Sequence, residues 1–182
     1  MMKLKTQAVT LLVLALLATA HASPRRRDPL TEAEITQIRD ASWEPTQRLT
    51  LYVKFARARL AQLETMRADP KAKDRAQQTH DFLDDFQLIY DELNDNLETY
   101  VDRKDDIRKP LKVVIDADTE FQAKLRALKD AADASPAERQ RYEFVLTTAI
   151  ESVDNSNADH RKLADELEEG LKKKKSTGKE KP

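Results

Sequence analysis

Residues 79–102 read THDFLDDFQLIYDELNDNLETYVD, a stretch with eight carboxylates, one histidine and no Lys or Arg. Its apolar residues Phe82, Leu83, Phe86, Ile89, Tyr90, Leu93, Leu97, Tyr100 and Val101 recur at three- and four-residue spacing, which at about 100° per residue gathers them on one side of a helix. The acids Asp81, Asp84, Asp85, Asp91, Glu92, Asp95, Glu98 and Asp102 fall on the opposite arc. The spacing predicts a water-facing or partner-facing acidic surface rather than an interior metal site. A dimetal carboxylate bundle needs acids projecting inward from facing helices and Glu-x-x-His pairs on two of them, and the chain has no such pair.

The flanking sequence extends the helical reading. Only two glycines, Gly170 and Gly178, occur in 182 residues, so glycine-dependent hairpins and phosphate-cradling loops are excluded from the body of the chain. Charged residues make up 36% and aromatics 5%, a balance suited to long amphipathic helices around a thin apolar seam. Thr31 and Glu34 form a capping box, and Leu30 and Ile35 a hydrophobic staple, so a first helix is expected to start at Thr31 and to kink near Pro45. Beyond Pro45 the stripe Leu49, Tyr52, Val53, Ala56, Leu60, Leu63 and Met66 ends at Asp69-Pro70. A later stripe carries Leu111, Val114, Ile115, Phe121, Leu125 and Leu128. Ser135-Pro136-Ala137-Glu138 opens a last helix with a capping box and is expected to stop at Gly170.

Pro110 leaves two readings open. Apolar phase is unbroken from Tyr100 through Ile107, Leu111 and Val114, which favours one long helix kinked at the proline; a tight turn there would instead give a compact four-helix bundle. The fold expected is all-α, an elongated, coiled-coil-like antiparallel bundle of three long helices with the middle one kinked, or of four.

Charge supports the first hairpin. Residues 46–75 hold eight basic and three acidic side chains, a net +5, whereas residues 76–102 carry −8. Folding back about Pro70 is expected to bring Arg59 towards Asp81, Arg57 towards Asp84, Lys54 towards Asp85 and Arg48 towards Glu92.

The N-terminus, MMKLKTQAVTLLVLALLATAHASP, combines Lys3 and Lys5, an apolar run from Ala8 to Ala20, and the small-x-small end Ala20-His21-Ala22. This is the pattern of a secretory signal peptide, cleaved after Ala22. A run of this length would span about 20 Å as a helix, short of the roughly 30 Å hydrocarbon core, so no transmembrane span is expected after cleavage. The organisation expected is a leader (1–22), a basic arm (23–30) with Arg25, Arg26 and Arg27, a helical domain (31–170) and a disordered Lys-rich tail (171–182). The protein is expected to be periplasmic or secreted.

Four residues are weak metal candidates. His80 and Asp84 stand at i and i+4 on one surface, and two ligands fall short of a structural zinc site. His160 sits on the last helix's apolar stripe within the polar run 154–160, and Asp118 interrupts the stripe before it. Folding about Ser135 places His160 opposite Lys109, so the run is expected to form a structural polar layer that hydrogen-bonds backbone freed at Pro110. The tail lysines Lys172, Lys173, Lys174, Lys175, Lys179 and Lys181 suit docking to an anionic envelope surface. They have no aromatic neighbour on which bases could stack, and nucleic acid is not an expected partner.

Leu30-Thr31-Glu32-Ala33-Glu34 resembles the Leu-Thr-x-x-Gln repeat of periplasmic helical stress chaperones over five residues, with Glu34 in the glutamine's place. That family's function is not carried over. The absence of cysteine removes thiol nucleophiles and thiolate ligands, and neither His80 nor His160 has a nucleophile and orienting acid at readable spacing. The function expected is therefore a non-enzymatic interaction or scaffold protein of the envelope or exterior, without cofactor. It is expected to bind a protein partner or to self-associate through Phe55, Leu88 and Phe144, which stand off the main stripes. A periplasmic holdase chaperone and a metal- or small-ligand-binding bundle are the alternatives.

Overall fold

The computed structural model describes residues 28–177, with side chains through Lys173. The expected leader and Arg25–Arg27 lie outside the described residues. Five helices and no strand occur among the described residues: α1 (Glu32–Asp40), α2 (Pro45–Ala68), α3 (Arg75–Asp102), α4 (Arg108–Asp130) and α5 (Pro136–Thr177). The last four form an all-α bundle, and α1 packs on α2.

Side-chain bonds fix the topology. Arg48 Nε donates to Asn96 Oδ1 and Arg67 Nη1 to Thr79 Oγ1, so α2 and α3 run antiparallel. Gln122 reaches Asp154 and Arg161 reaches Thr119, which makes α4 and α5 antiparallel as well. Between the hairpins the residue numbers rise together. Arg57 pairs with Glu120 and Lys124 with Glu64 (α2 beside α4), while Asn94 meets Ser156 and Arg141 meets Gln77 (α3 beside α5). Consecutive helices α3 and α4 are thus diagonal partners, joined by residues 103–107 across the end of the bundle.

That connection corrects the continuous-helix reading of Pro110. After Asp102 the amide of Asp105 donates to the Tyr100 carbonyl and that of Lys104 to the Val101 carbonyl, a Schellman stop with Lys104 left-handed at φ 61°. Pro110 then occupies the first turn of α4, where its missing N–H would have had no intrahelical partner. Apolar phase persists because Tyr100, Ile107, Leu111 and Val114 are all buried in one core, from two helices rather than one.

Pro45 likewise breaks the chain instead of kinking it. Helix α1 ends at Asp40, and α2 restarts with Pro45 at its first position under Glu44, whose side chain accepts from the Thr46 amide. Gly170 does not stop α5 either. It stays helical, and α5 runs to Thr177, past the start of α4, with Lys172 and Lys173 exposed. Cations at a helix C-terminus complement its dipole, which favours this extension. Residues 178–182 lie outside the description.

The expected capping box of α1 forms: Thr31 Oγ1 accepts from the Glu34 amide, and Glu34 accepts from the Thr31 amide at 2.8 Å. The same carboxylate takes a forked bond from buried Arg59, at 3.0 and 2.6 Å, and Arg59 also donates to the Pro29 carbonyl. Arg59 therefore anchors α1, not Asp81, and Arg57 turns to Glu120, not Asp84. Arg48 donates to Asn96, one turn from the expected Glu92. The opposing charges of α2 and α3 are real, but third elements compete for the arginines.

At the end of the bundle away from residues 103–107, Arg67 binds Asp133 at 2.6 Å and Glu138 at 3.4 Å, and Arg75 binds Asp133 at 2.8 Å. Ser135 caps α5 by accepting from the Glu138 amide, but Glu138 turns to these arginines, so that capping box is half made. The core is lined by Phe86, Tyr90 and Phe121, with ring centroids 5.3 to 6.1 Å apart. Phe55, expected on a second surface, is buried. Of the acids expected to face outward, Asp91, Glu92, Asp95, Glu98 and Asp102 do, Asp81 and Asp84 are half-buried, and Asp85 is buried.

Burial raises the Glu34 carboxyl pKa, but the Arg59 bonds, the Thr31 amide and the Arg59 charge outweigh it, leaving it below its ordinary 4.5. A depressed carboxyl stabilises the fold fully above pH 4.5 and loses that contribution as pH falls through the folded value. Urea unfolding should therefore show a stability loss below pH 4.5 that Glu34→Gln diminishes. Replacing Lys104 by Gly removes the left-handed side-chain penalty and should raise stability by about 0.5 to 1 kcal/mol, read in the same titrations.

Candidate functional site

Two polar residues expected on apolar stripes, Asp118 and His160, meet at the bundle centre. Asp118 on α4 is fully buried and His160 on α5 is 6% exposed. Asp118 Oδ2 lies 2.8 Å from His160 Nδ1, and the Tyr90 hydroxyl of α3 donates to Asp118 Oδ1 at 2.8 Å. One carboxylate thus joins α3, α4 and α5, and the Tyr90 bond spans the diagonal between helices whose backbones do not touch.

Donor roles follow outward from Asp118. A carboxylate oxygen only accepts, so Nδ1 of His160 carries a proton and donates it to Asp118. Tyr90 spends its proton on Asp118. Asn94 donates its amide to Ser156 Oγ at 3.1 Å, and Asn94 Oδ1 is buried without a partner. Burial first, and then the Asp118 charge, pushes the Tyr90 phenol well above its ordinary value, so it remains a donor.

A second chain flanks the first. Asn157 donates to Gln122, Gln122 to Asp154, and Arg126 clasps Asp154 with contacts at 2.8 Å; Arg161 donates to Asn157 Oδ1 and to Thr119. The polar run is therefore a layer, as expected, but it does not serve Pro110. His160 meets Asp118 rather than Lys109 because the turn between α4 and α5 includes the first turn of α5, where Arg139 reaches back to the Lys129 and Ala131 carbonyls.

The other expected site residues stay apart. His80 is half-exposed, with Nδ1 3.4 Å from Asp81 rather than against Asp84. Among the described residues no group of three or more His, Asp or Glu could hold a metal ion. Lys172 and Lys173 lie exposed on the overhanging end of α5, Lys174 and Lys175 are helical, and Lys179 and Lys181 fall outside the described residues. Tyr90, Asn94 and Gln122 escaped the sequence reading. The signal was present in the requirement that two buried polar residues have partners, and Tyr90 was read only as part of an apolar stripe.

No family model, no curated protein and no solved structure matches this chain.

Removing the His160 donor leaves the buried Asp118 carboxylate uncompensated on one side, so His160→Leu should cost about 3 to 5 kcal/mol in urea unfolding. Adding Asp118→Leu should restore part of that loss, because the pair is coupled.

Proposed function

We propose that this chain is an exported, non-enzymatic helical interaction protein that binds a protein partner or a second copy of itself in the periplasm or outside the cell. The export half of this reading rests on the leader-like sequence of residues 1–22. No helix among the described residues is long and apolar enough to cross a membrane.

The interaction half rests on one observation: the bundle covers its apolar stripes yet leaves Trp43 90% exposed in the turn before α2. The parallel register of α2 and α4 sets half-buried Leu51 level with Val113, which is 36% exposed, a further apolar strip on the bundle surface. Exposed aromatic residues beside apolar surface are a common interface anchor. Phe144, 85% exposed, supplies a separate point on α5 amid polar neighbours. Leu88 is half-buried in the groove beneath α1 and adds little. The exposed Lys172 and Lys173 at the overhanging end of α5 favour a lesser role for an anionic envelope surface.

Trp43 is the sole tryptophan, so its fluorescence reports this surface alone. Raising protein concentration, or adding the partner recovered by crosslinking in the native envelope, should shift its emission to the blue. Trp43→Ala should abolish association while changing stability by less than about 0.5 kcal/mol. A strict monomer at every concentration, with no crosslinked partner, would refute the proposal.

A further inference from the structure

We propose that the groove between α2 and α3, beyond the start of α1, seats the chain's own basic arm, with Arg25, Arg26 and Arg27 against Asp81, Asp84 and Asp85. The described chain begins at a fixed point. Asp28 Oδ1 accepts from the Leu30 amide at 2.9 Å, and Arg59 donates to the Pro29 carbonyl at 2.6 Å. Asp28 lines one groove with Leu88 and Glu92, so the residues before it set out from the side of α3.

Space and charge lie in one direction from that point. The antiparallel register, set by Arg48 with Asn96 and Arg67 with Thr79, puts Arg59 level with Phe86. From there α1 leads towards Arg48, which donates to the Ile38 carbonyl at 3.4 Å, and so covers the groove on that side. In the other direction Met66, Gln78 and Phe82 line a groove of about 710 Å³. Beside it on α3, Asp81 and Asp84 are half-buried and keep surface for a guanidinium, while Asp85, 8% exposed, adds its charge behind them. Three carboxylates within two helical turns favour a cationic segment over a neutral or acidic one. Lengths agree as well. From Asp81 to Leu88 the helix rises about 10 Å at about 1.5 Å per residue. Three extended residues reach about 10 Å at about 3.3 Å each.

The chain has no cysteine, so Ser23→Cys creates its only thiol, which takes a nitroxide label without touching any of these six charges. Amide resonances of residues 78–85 should broaden. Those of residues 165–169, about 30 Å further along the bundle at about 1.5 Å per residue, should stay sharp. Replacing all three arginines by Gln, in the arm and clear of the bundle core, should reduce the broadening about twofold or more. Salt near 1 M should do the same, because exposed ion pairs are screened. Asp81→Asn with Asp84→Asn should repeat the loss from the other side of the contact. Nitroxide-bearing chain at natural isotope abundance, mixed with label-free chain enriched in nitrogen-15, should leave every resonance sharp. Broadening that is absent, spread evenly over the bundle, or undiminished in the three-arginine variant overturns the proposal. Equal broadening in the mixed sample overturns it too, since the arm would then be reaching a second copy.

Discussion

The bond network around Asp118 is the constraint on which the rest of the bundle depends. Apolar stripes alone would let two helical hairpins slide or rotate against each other, since Leu, Ile and Phe contacts exchange at small cost. A buried carboxylate does not exchange in this way. It must find donors, and here they come from α3 and α5, at one depth in each helix. Sliding either helix by a turn would bury a charge without its partner, a far larger penalty than a misplaced methyl group. The centre of the molecule therefore fixes its register by chemistry, while the aromatic cluster of Phe86, Tyr90 and Phe121 supplies much of the surrounding packing.

The flank and the end of the bundle are fixed differently. Arginines span elements there: Arg59, past the middle of α2, ties α1 and the Pro29 carbonyl to its side, and Arg67 and Arg75 gather Asp133 and Glu138 at the end away from residues 103–107. Burial raises the Asp133 carboxyl pKa, but its bonds to Arg67 and Arg75 outweigh that effect and hold it below the ordinary value. Forked guanidinium geometry grips a carboxylate with two parallel bonds, as Arg59 grips Glu34, which the point charge of a lysine does not reproduce.

Much of this was legible in the sequence, and the rest was hidden for identifiable reasons. Stripe spacing gave the helices, and Thr31 with Glu34 gave the first cap, because both are local patterns. Asp118 and His160 stood out as polar intrusions, but their pairing needed the length of the α4–α5 turn, which a side chain from Arg139 sets from a distance. The stop after Asp102 was hidden because a lysine, not a glycine, takes the left-handed position. Phe55 and Asp85 looked outward on an idealised helical wheel; in a bundle where each helix touches two neighbours, the buried arc is wider than one stripe.

The diagonal crossing between α3 and α4 carries one more consequence, for assembly order. Each hairpin closes through contacts between successive helices, whereas every contact between hairpins waits on the five-residue corner at 103–107. Nearby segments find each other sooner than remote ones, so the halves are built to form first and to dock second. The corner is held by a lysine in a conformation that most side chains avoid, so straightening it relieves that strain. Straightened, it would deliver the second half of one molecule to the first half of another, with every native contact remade across two chains.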